Sequence, residues 1–112
     1  MGDREISEIV IDFEKIRNEQ LNESIFNFMK FWVGKALRVL LGDIDFAIPV
    51  KIKGTPAEVR SFVSALGNQK SYVEAYRSYG LDDPKTYRSK SKLRAAAGNF
   101  ERKTGLKWPF DA

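Results

Sequence analysis

The sequence contains no cysteine and no histidine. Without cysteine, a chain has no disulfide framework, no thiol nucleophile and no thiolate metal site. Without histidine, it has no imidazole base, no Ser-His dyad and no His-ligated zinc. We therefore expect a non-catalytic protein with no catalytic residue, no cofactor and no metal site. An enzyme would have to depend on carboxylates that hold a metal ion.

Long apolar runs and a basic leader are also missing. The opening residues, MGDREISE, are acidic and polar, which is not the pattern of a secretory signal. The most apolar stretch, 25–41, is interrupted by asparagine, glycine and three basic residues, so it is a poor membrane span. We expect no membrane association and a cytoplasmic location. The 112 residues, 43% of them hydrophobic, suit a single domain over 1–112.

Positive charge is concentrated in the second half of the chain. Residues 1–46 carry six Lys and Arg against nine Asp and Glu, whereas residues 47–112 carry thirteen against six. Between 85 and 107, eight basic residues accompany a single acidic one, Glu101. This asymmetry predicts an anionic partner for the second half, or an acidic protein surface that complements it.

The acidic N-terminal part, 5–42, is predicted to be helical. Over 5–20 the spacing of Ile6, Ile9, Phe13 and Ile16 favours a helix, although the β-branched run 8–13 also suits a short strand. Over 24–41 the apolar residues occupy about half of the helix circumference. That is wider than one neighbouring helix requires, so this helix is either central to the core or contacts another chain.

Residues 47–53 have the alternation of a short strand, and a lone strand needs a partner. The partner must come from 8–13 or from a second copy of the chain. A homo-oligomer could therefore form through strand 48–53 or helix 24–41.

Two N-cap patterns mark the starts of helices in the basic C-terminal part, 55–105. Thr55-Pro56 with Glu58 predicts a helix that reaches Tyr79, and Asp83-Pro84 predicts a second one over 84–104. Glycine at 67 and asparagine at 68 predict a break that divides the first helix in two. Such a break would also permit a helix-turn-helix, although Val63 and Asn68 depart from that motif.

The last predicted helix gathers basic residues on one side. Several Lys and Arg on one face are what a non-specific nucleic-acid site needs to displace phosphate counterions. Five of them fall within about 100° of the circumference, beside the apolar arc. The candidate nucleic-acid-binding residues are Lys85, Arg88, Lys92, Arg102 and Lys103, with Arg77 and Lys107 as extensions.

Aromatic residues are the candidates for contact with a partner. Pro109 prevents the tail 106–112 from continuing the helix, and we expect the apolar residues of the tail to hold it against the body. Some aromatic side chains could stack on bases, but at helical spacing they more often belong to the core. The stacking candidates are Tyr72, Tyr79, Tyr87, Trp108 and Phe110. The predicted partner interface consists of Phe28, Phe31, Trp32, Trp108 and Phe110.

Three strings carry a resemblance: KGTP at 53–56, YGLDDP at 79–84 and FERKTGLKWPF at 100–110. Over residues 50–110 the chain resembles small uncharacterised proteins of tailed bacteriophages. The resemblance implies an accessory or virion-associated role, in the host cytoplasm or in the virion. It attaches no activity and no functional residue.

The sequence as a whole predicts a mainly α domain of three to four helices, with one short strand or a minor two-stranded pairing. The predicted function is non-specific binding of nucleic acid through the basic C-terminal helix. The alternative is a protein-interaction or assembly module in which the same basic residues meet an acidic protein surface.

Overall fold

A hairpin of two long helices forms the centre of the fold. The computed structural model describes residues 9–18, 23–42 and 50–110, without the side chains of residues 9, 17, 18, 23–29, 32 and 50. In these ranges the elements are β1 (Ile9–Asp12), α1 (Phe13–Asn18), α2 (Glu23–Leu41), β2 (Val50–Lys53), α3 (Pro56–Tyr79) and α4 (Pro84–Thr104). The predicted fold class, mainly α with a minor two-stranded pairing, is confirmed.

Strands β1 and β2 pair in parallel, with Ile11 opposite Ile52. Parallel strands require a crossover connection, and α1 and α2 lie between them in the chain. Of the two conformations that the sequence left open over 8–13, the strand is present at 9–12, because the β-branched run pairs with β2. Asp12 Oδ1 accepts a hydrogen bond from the Lys15 N–H at 3.2 Å and so caps α1.

The pairing of β2 also answers which chain supplies its partner. The partner is a segment of the same chain, so the strand predicted at 47–53 gives no reason to invoke a second copy. The described part of that strand begins at Val50. Residues 47–49 lie outside the described ranges.

Helices α3 and α4 form a hairpin joined by residues 80–83. At the start of α3 the Glu58 N–H donates to Thr55 Oγ1 at 3.2 Å, and the Thr55 N–H donates to Glu58 Oε1 at 2.9 Å. At the start of α4 the Lys85 N–H donates to Asp83 Oδ1 at 2.8 Å. Both predicted caps are confirmed, and each satisfies backbone donors that have no partner within the helix.

Helix α3 runs without a break through Gly67 and Asn68. The predicted division at this point is wrong, and the helix-turn-helix interpretation loses the turn that it requires. A single glycine in a helix costs only about 1 kcal/mol. Burial of Leu66 and Val73 on either side of it outweighs that cost.

The core is built around four aromatic rings that come from separate parts of the chain. Phe13 begins α1, Phe62 lies on α3, Phe100 lies on α4, and Trp108 follows α4; none is more than 6% exposed. The ring centroids of Phe13 and Phe62 are 5.5 Å apart, and those of Phe100 and Trp108 are 5.3 Å apart. These inclined contacts join the sheet end, the hairpin and the tail in one cluster.

The tail after α4 is held against this cluster. Leu106 and Trp108 are buried. The backbone N–H of Trp108 donates to Glu101 Oε2 at 2.9 Å, and its indole Nε1–H donates to Gln69 Oε1 at 3.0 Å. The expectation that apolar residues fix the tail to the body is confirmed.

Candidate nucleic-acid interface

Helix α4 presents one side to the core and the other to solvent. It begins at the Asp83 cap and ends where Gly105 adopts a positive φ of 75°. The buried side chains of α4 share one stripe: Thr86, Leu93, Ala97, Phe100 and Thr104. At 100° per residue, this stripe fixes which positions face outward.

The basic residues predicted on α4 all lie on its outward side. We call the five together the basic face: Lys85, Arg88, Lys92, Arg102 and Lys103. Each of the five is exposed. At 1.5 Å per residue, the first and the last are separated by about 27 Å along the helix axis. The basic face therefore forms a long positive strip.

The basic face divides into two groups along the axis. Lys85, Arg88 and Lys92 lie in the first half of α4, and Arg102 with Lys103 lies in its last turn. Between them the same side of the helix carries Ala95 and Asn99. The last-turn pair also suits the negative end of the helix dipole, so part of its role is to stabilise α4.

Three carboxylates of the α3–α4 hairpin make contacts other than with the basic side chains. Asp83 accepts the Lys85 N–H, Glu101 accepts the Trp108 N–H, and Glu74 pairs with Lys70 at 3.1 Å. Within the described ranges, no ion pair joins a residue of the basic face to a carboxylate. The positive potential of this strip is therefore available to an external anion.

The two predicted extensions lie at opposite ends of the basic face. Arg77 is in the last turn of α3, beside the start of α4, and Lys107 follows the end of α4. Both side chains are exposed. The structure therefore places all seven candidate residues at or beyond the two ends of α4 or along its outer side.

The predicted partner interface is divided by the structure. Trp108 is only 6% exposed, packs against Phe62 and Phe100, and belongs to the core rather than to an open surface. Phe110 is half-buried, with its ring centroid 5.9 Å from that of Trp108. The core uses the Trp108 ring, so this residue cannot serve the predicted interface, whereas Phe110 stays a prediction.

Helix α2 retains one exposed member of that predicted interface. Phe31 is 56% exposed, and Lys35 Nζ lies 5.5 Å from its ring centroid. The side chains of Phe28 and Trp32 lie outside the described part of the structure.

Two tyrosines at the turn between α3 and α4 are more exposed than the sequence pattern suggested. Tyr79 is 52% exposed and Tyr87 is 54% exposed. Tyr72 instead packs edge-on against Tyr76, with centroids 5.3 Å apart. Nearness to a helix end does not signal this exposure in the sequence, because Phe100 lies four residues from the end of α4 and is fully buried.

Comparisons with known proteins add no further assignment. No protein-family model, curated protein or solved structure matches the chain. In the described ranges, no helix is long and apolar enough to cross a membrane, and no three acidic side chains group as a metal site would require. The chemistry of the basic face therefore stands by itself as the basis for a function.

Proposed function

We propose that this protein is a non-catalytic accessory protein that binds nucleic acid without strong sequence preference through the basic face of α4. One observation carries the proposal. Five basic side chains lie exposed along one side of a single helix, and no carboxylate in the described ranges pairs with them.

The physical basis is the release of counterions from phosphates. Each Lys or Arg that approaches a phosphate displaces a condensed cation, and this sequence-independent gain drives non-specific binding. A capped helix anchored by a buried stripe holds its charges in a fixed row. The row therefore fits an extended polyanion better than a compact acidic ligand.

Charge reversal on the basic face tests the proposal. In the variant Lys85→Glu, Arg88→Glu, Lys92→Glu we expect affinity for a labelled oligonucleotide at low salt to fall by at least about tenfold. The fold should survive, because all three positions are exposed and residue 85 lies in the first turn of α4, where an acidic side chain suits the helix dipole. Fluorescence anisotropy measures the affinity, and circular dichroism checks the fold.

A matched control distinguishes the loss of a specific binding site from the effect of the lower net charge. The variant Lys51→Glu, Lys53→Glu, Arg60→Glu changes the net charge equally, at exposed positions on β2 and α3. We expect it to retain most of the affinity. Equal losses in the two variants, or no detectable binding by the unmodified protein, would overturn the proposal.

A second candidate function is assembly with another protein through α2. The observation in its favour is the exposure of Phe31 (56%) and Leu40 (48%) on a helix whose Val33 and Leu37 are buried. Analytical ultracentrifugation with and without nucleic acid separates the two functions. A stable oligomer that is indifferent to nucleic acid favours assembly.

The biological setting follows from the resemblance of residues 50–110 to small proteins of tailed bacteriophages. We propose an accessory or virion-associated role there, with the host cytoplasm or the virion as its location. A pull-down from infected cells, with and without nuclease treatment, tests whether nucleic acid links the protein to its partners.

A further inference from the structure

The turn between α3 and α4 combines exposed rings with the first charges of the basic face. We infer that the nucleic acid is single-stranded and that its bases stack on Tyr79 and Tyr87 while its phosphates follow the basic face. This inference rests on the proposed function. It adds the strandedness of the ligand and two residues that contact bases.

The first argument is that these two rings are not used by the core. Phe13, Phe62, Phe100 and Trp108 are buried together. Tyr79 and Tyr87, by contrast, each leave more than half of the side chain open to solvent. Because a base can stack only on an accessible ring, these tyrosines qualify where the buried aromatic residues do not.

The second argument is the position of Lys85 beside Tyr79. The Lys85 Nζ lies 4.4 Å from the centroid of the Tyr79 ring, within the range of a cation–π contact. A base stacked on this ring would bring its own phosphate close to the ammonium group. Stacking and charge neutralisation could thus act on one nucleotide, the combination found in single-strand binders.

The third argument is the order of side chains around the first turns of α4. At 100° per residue, Arg88 lies between Lys85 and Tyr87 on the helix circumference. Around the surface, the Tyr79 ring is therefore followed by the Lys85 ammonium group. The Arg88 guanidinium group and the Tyr87 ring come next. Leu81 is 62% exposed in the same turn and adds apolar surface.

The charge of the turn itself favours bases over phosphates at this position. Asp82 is exposed beside Leu81, and Asp83 caps α4. These carboxylates would repel a phosphate placed directly over the turn, but they would not prevent a base from stacking on a ring. The phosphate of a base on Tyr79 is then directed to Lys85, and the following phosphates to Arg88 and Lys92.

A duplex could not use the two rings in this way. In a double helix each base is covered on both faces by its neighbours, so an aromatic side chain reaches it only by unstacking the duplex. Only a strand with accessible bases gains from both the rings and the basic face. The proposal therefore predicts a preference for single strands that depends on the tyrosines.

The test removes the rings and leaves the charge unchanged. We expect the double variant Tyr79→Leu, Tyr87→Leu to bind a labelled 20-nucleotide oligo(dT) at least about thirtyfold more weakly than the unmodified protein, because two stacked bases are lost. Binding of a 20-base-pair duplex should change less than twofold. The control Tyr79→Phe, Tyr87→Phe keeps both rings and should bind oligo(dT) like the unmodified protein.

The outcomes distinguish this inference from the proposed function. If the Leu variant, shown to be folded by circular dichroism, binds oligo(dT) as well as the Phe variant, stacking is disproved while the basic face stands. Equal affinity of the unmodified protein for duplex and oligo(dT) also overturns the inference alone. If charge reversal on the basic face leaves both affinities unchanged, the proposed function and this inference fail together.

Discussion

Gly54 shows how a single residue connects the sheet to the helical hairpin. A Cβ atom at this position would lie 2.9 Å from Phe13 Cδ2 and 2.9 Å from Glu58 Oε1. Phe13 is fully buried in the aromatic cluster, and Glu58 is held in the capping box of α3. The backbone can therefore approach both side chains only because residue 54 has none.

We predict that Gly54→Ala lowers the free energy of unfolding by about 1–3 kcal/mol, because the added methyl group must displace the Phe13 ring or the Glu58 carboxylate. Urea denaturation followed by circular dichroism measures this change. Gly98→Ala is a suitable control, because its Cβ would meet only Arg102 Nη1, at 3.5 Å. Equal stability of Gly54→Ala and the unmodified protein would contradict this packing.

At the scale of the elements, the helices are specified mostly by local chemistry. Both caps of the hairpin helices and the glycines that end α3 and α4 are legible in the sequence, and the structure has them at those positions. Local chemistry was not sufficient at 67–68, where it predicts a break, or at 9–12, where it left helix and strand open. In each of these places burial and pairing with distant residues, rather than local preference, decided the conformation.

The continuity of α3 leads to a prediction at Gly67. This residue is helical, and beyond its chain neighbours and the local helix backbone no atom lies within 4 Å of the position that a Cβ would occupy. We expect Gly67→Ala to stabilise the protein by about 0.5–1 kcal/mol, because alanine loses less backbone entropy on folding. Thermal and urea denaturation both measure this gain. A loss of stability would indicate a turn at this position instead of a continuous helix.

At the scale of the whole molecule, the basic residues that the sequence concentrates between 85 and 107 lie along and just beyond one helix. Residues 85–107 place their exposed cations along and beyond α4, while Asp83 caps this helix, Glu101 holds the tail and Glu74 pairs with Lys70. The candidate site was therefore predictable as a set of residues. The absence of ion pairs between the basic face and carboxylates of the described ranges was not predictable, because ion pairing depends on which surfaces meet in the folded protein.

We predict that binding weakens steeply with salt. If five cations each neutralise one phosphate of a single strand, log K should fall with log salt at a slope of about −3.5. Neutralising Lys85, Arg88 and Lys92 to glutamine should reduce the slope by about 2. The same change at Lys51, Lys53 and Arg60 should leave it unaltered. Titrations at four salt concentrations give these slopes, and a slope near zero would exclude phosphate contact.

The sequence by itself determined where α3 and α4 start and stop, the side of α4 that carries positive charge, and the absence of imidazole and thiol chemistry. These depend on residue identity and on spacing within one element. Only the tertiary structure decided the parallel pairing of β1 with β2, the burial of Trp108, and the exposure of Tyr79 and Tyr87. These depend on contacts between residues far apart in the chain, such as Trp108 with Gln69. The spacing of residues within one helix or strand cannot encode these long-range contacts. An apolar side chain at a given position is equally stable inside the protein's own core or against a partner.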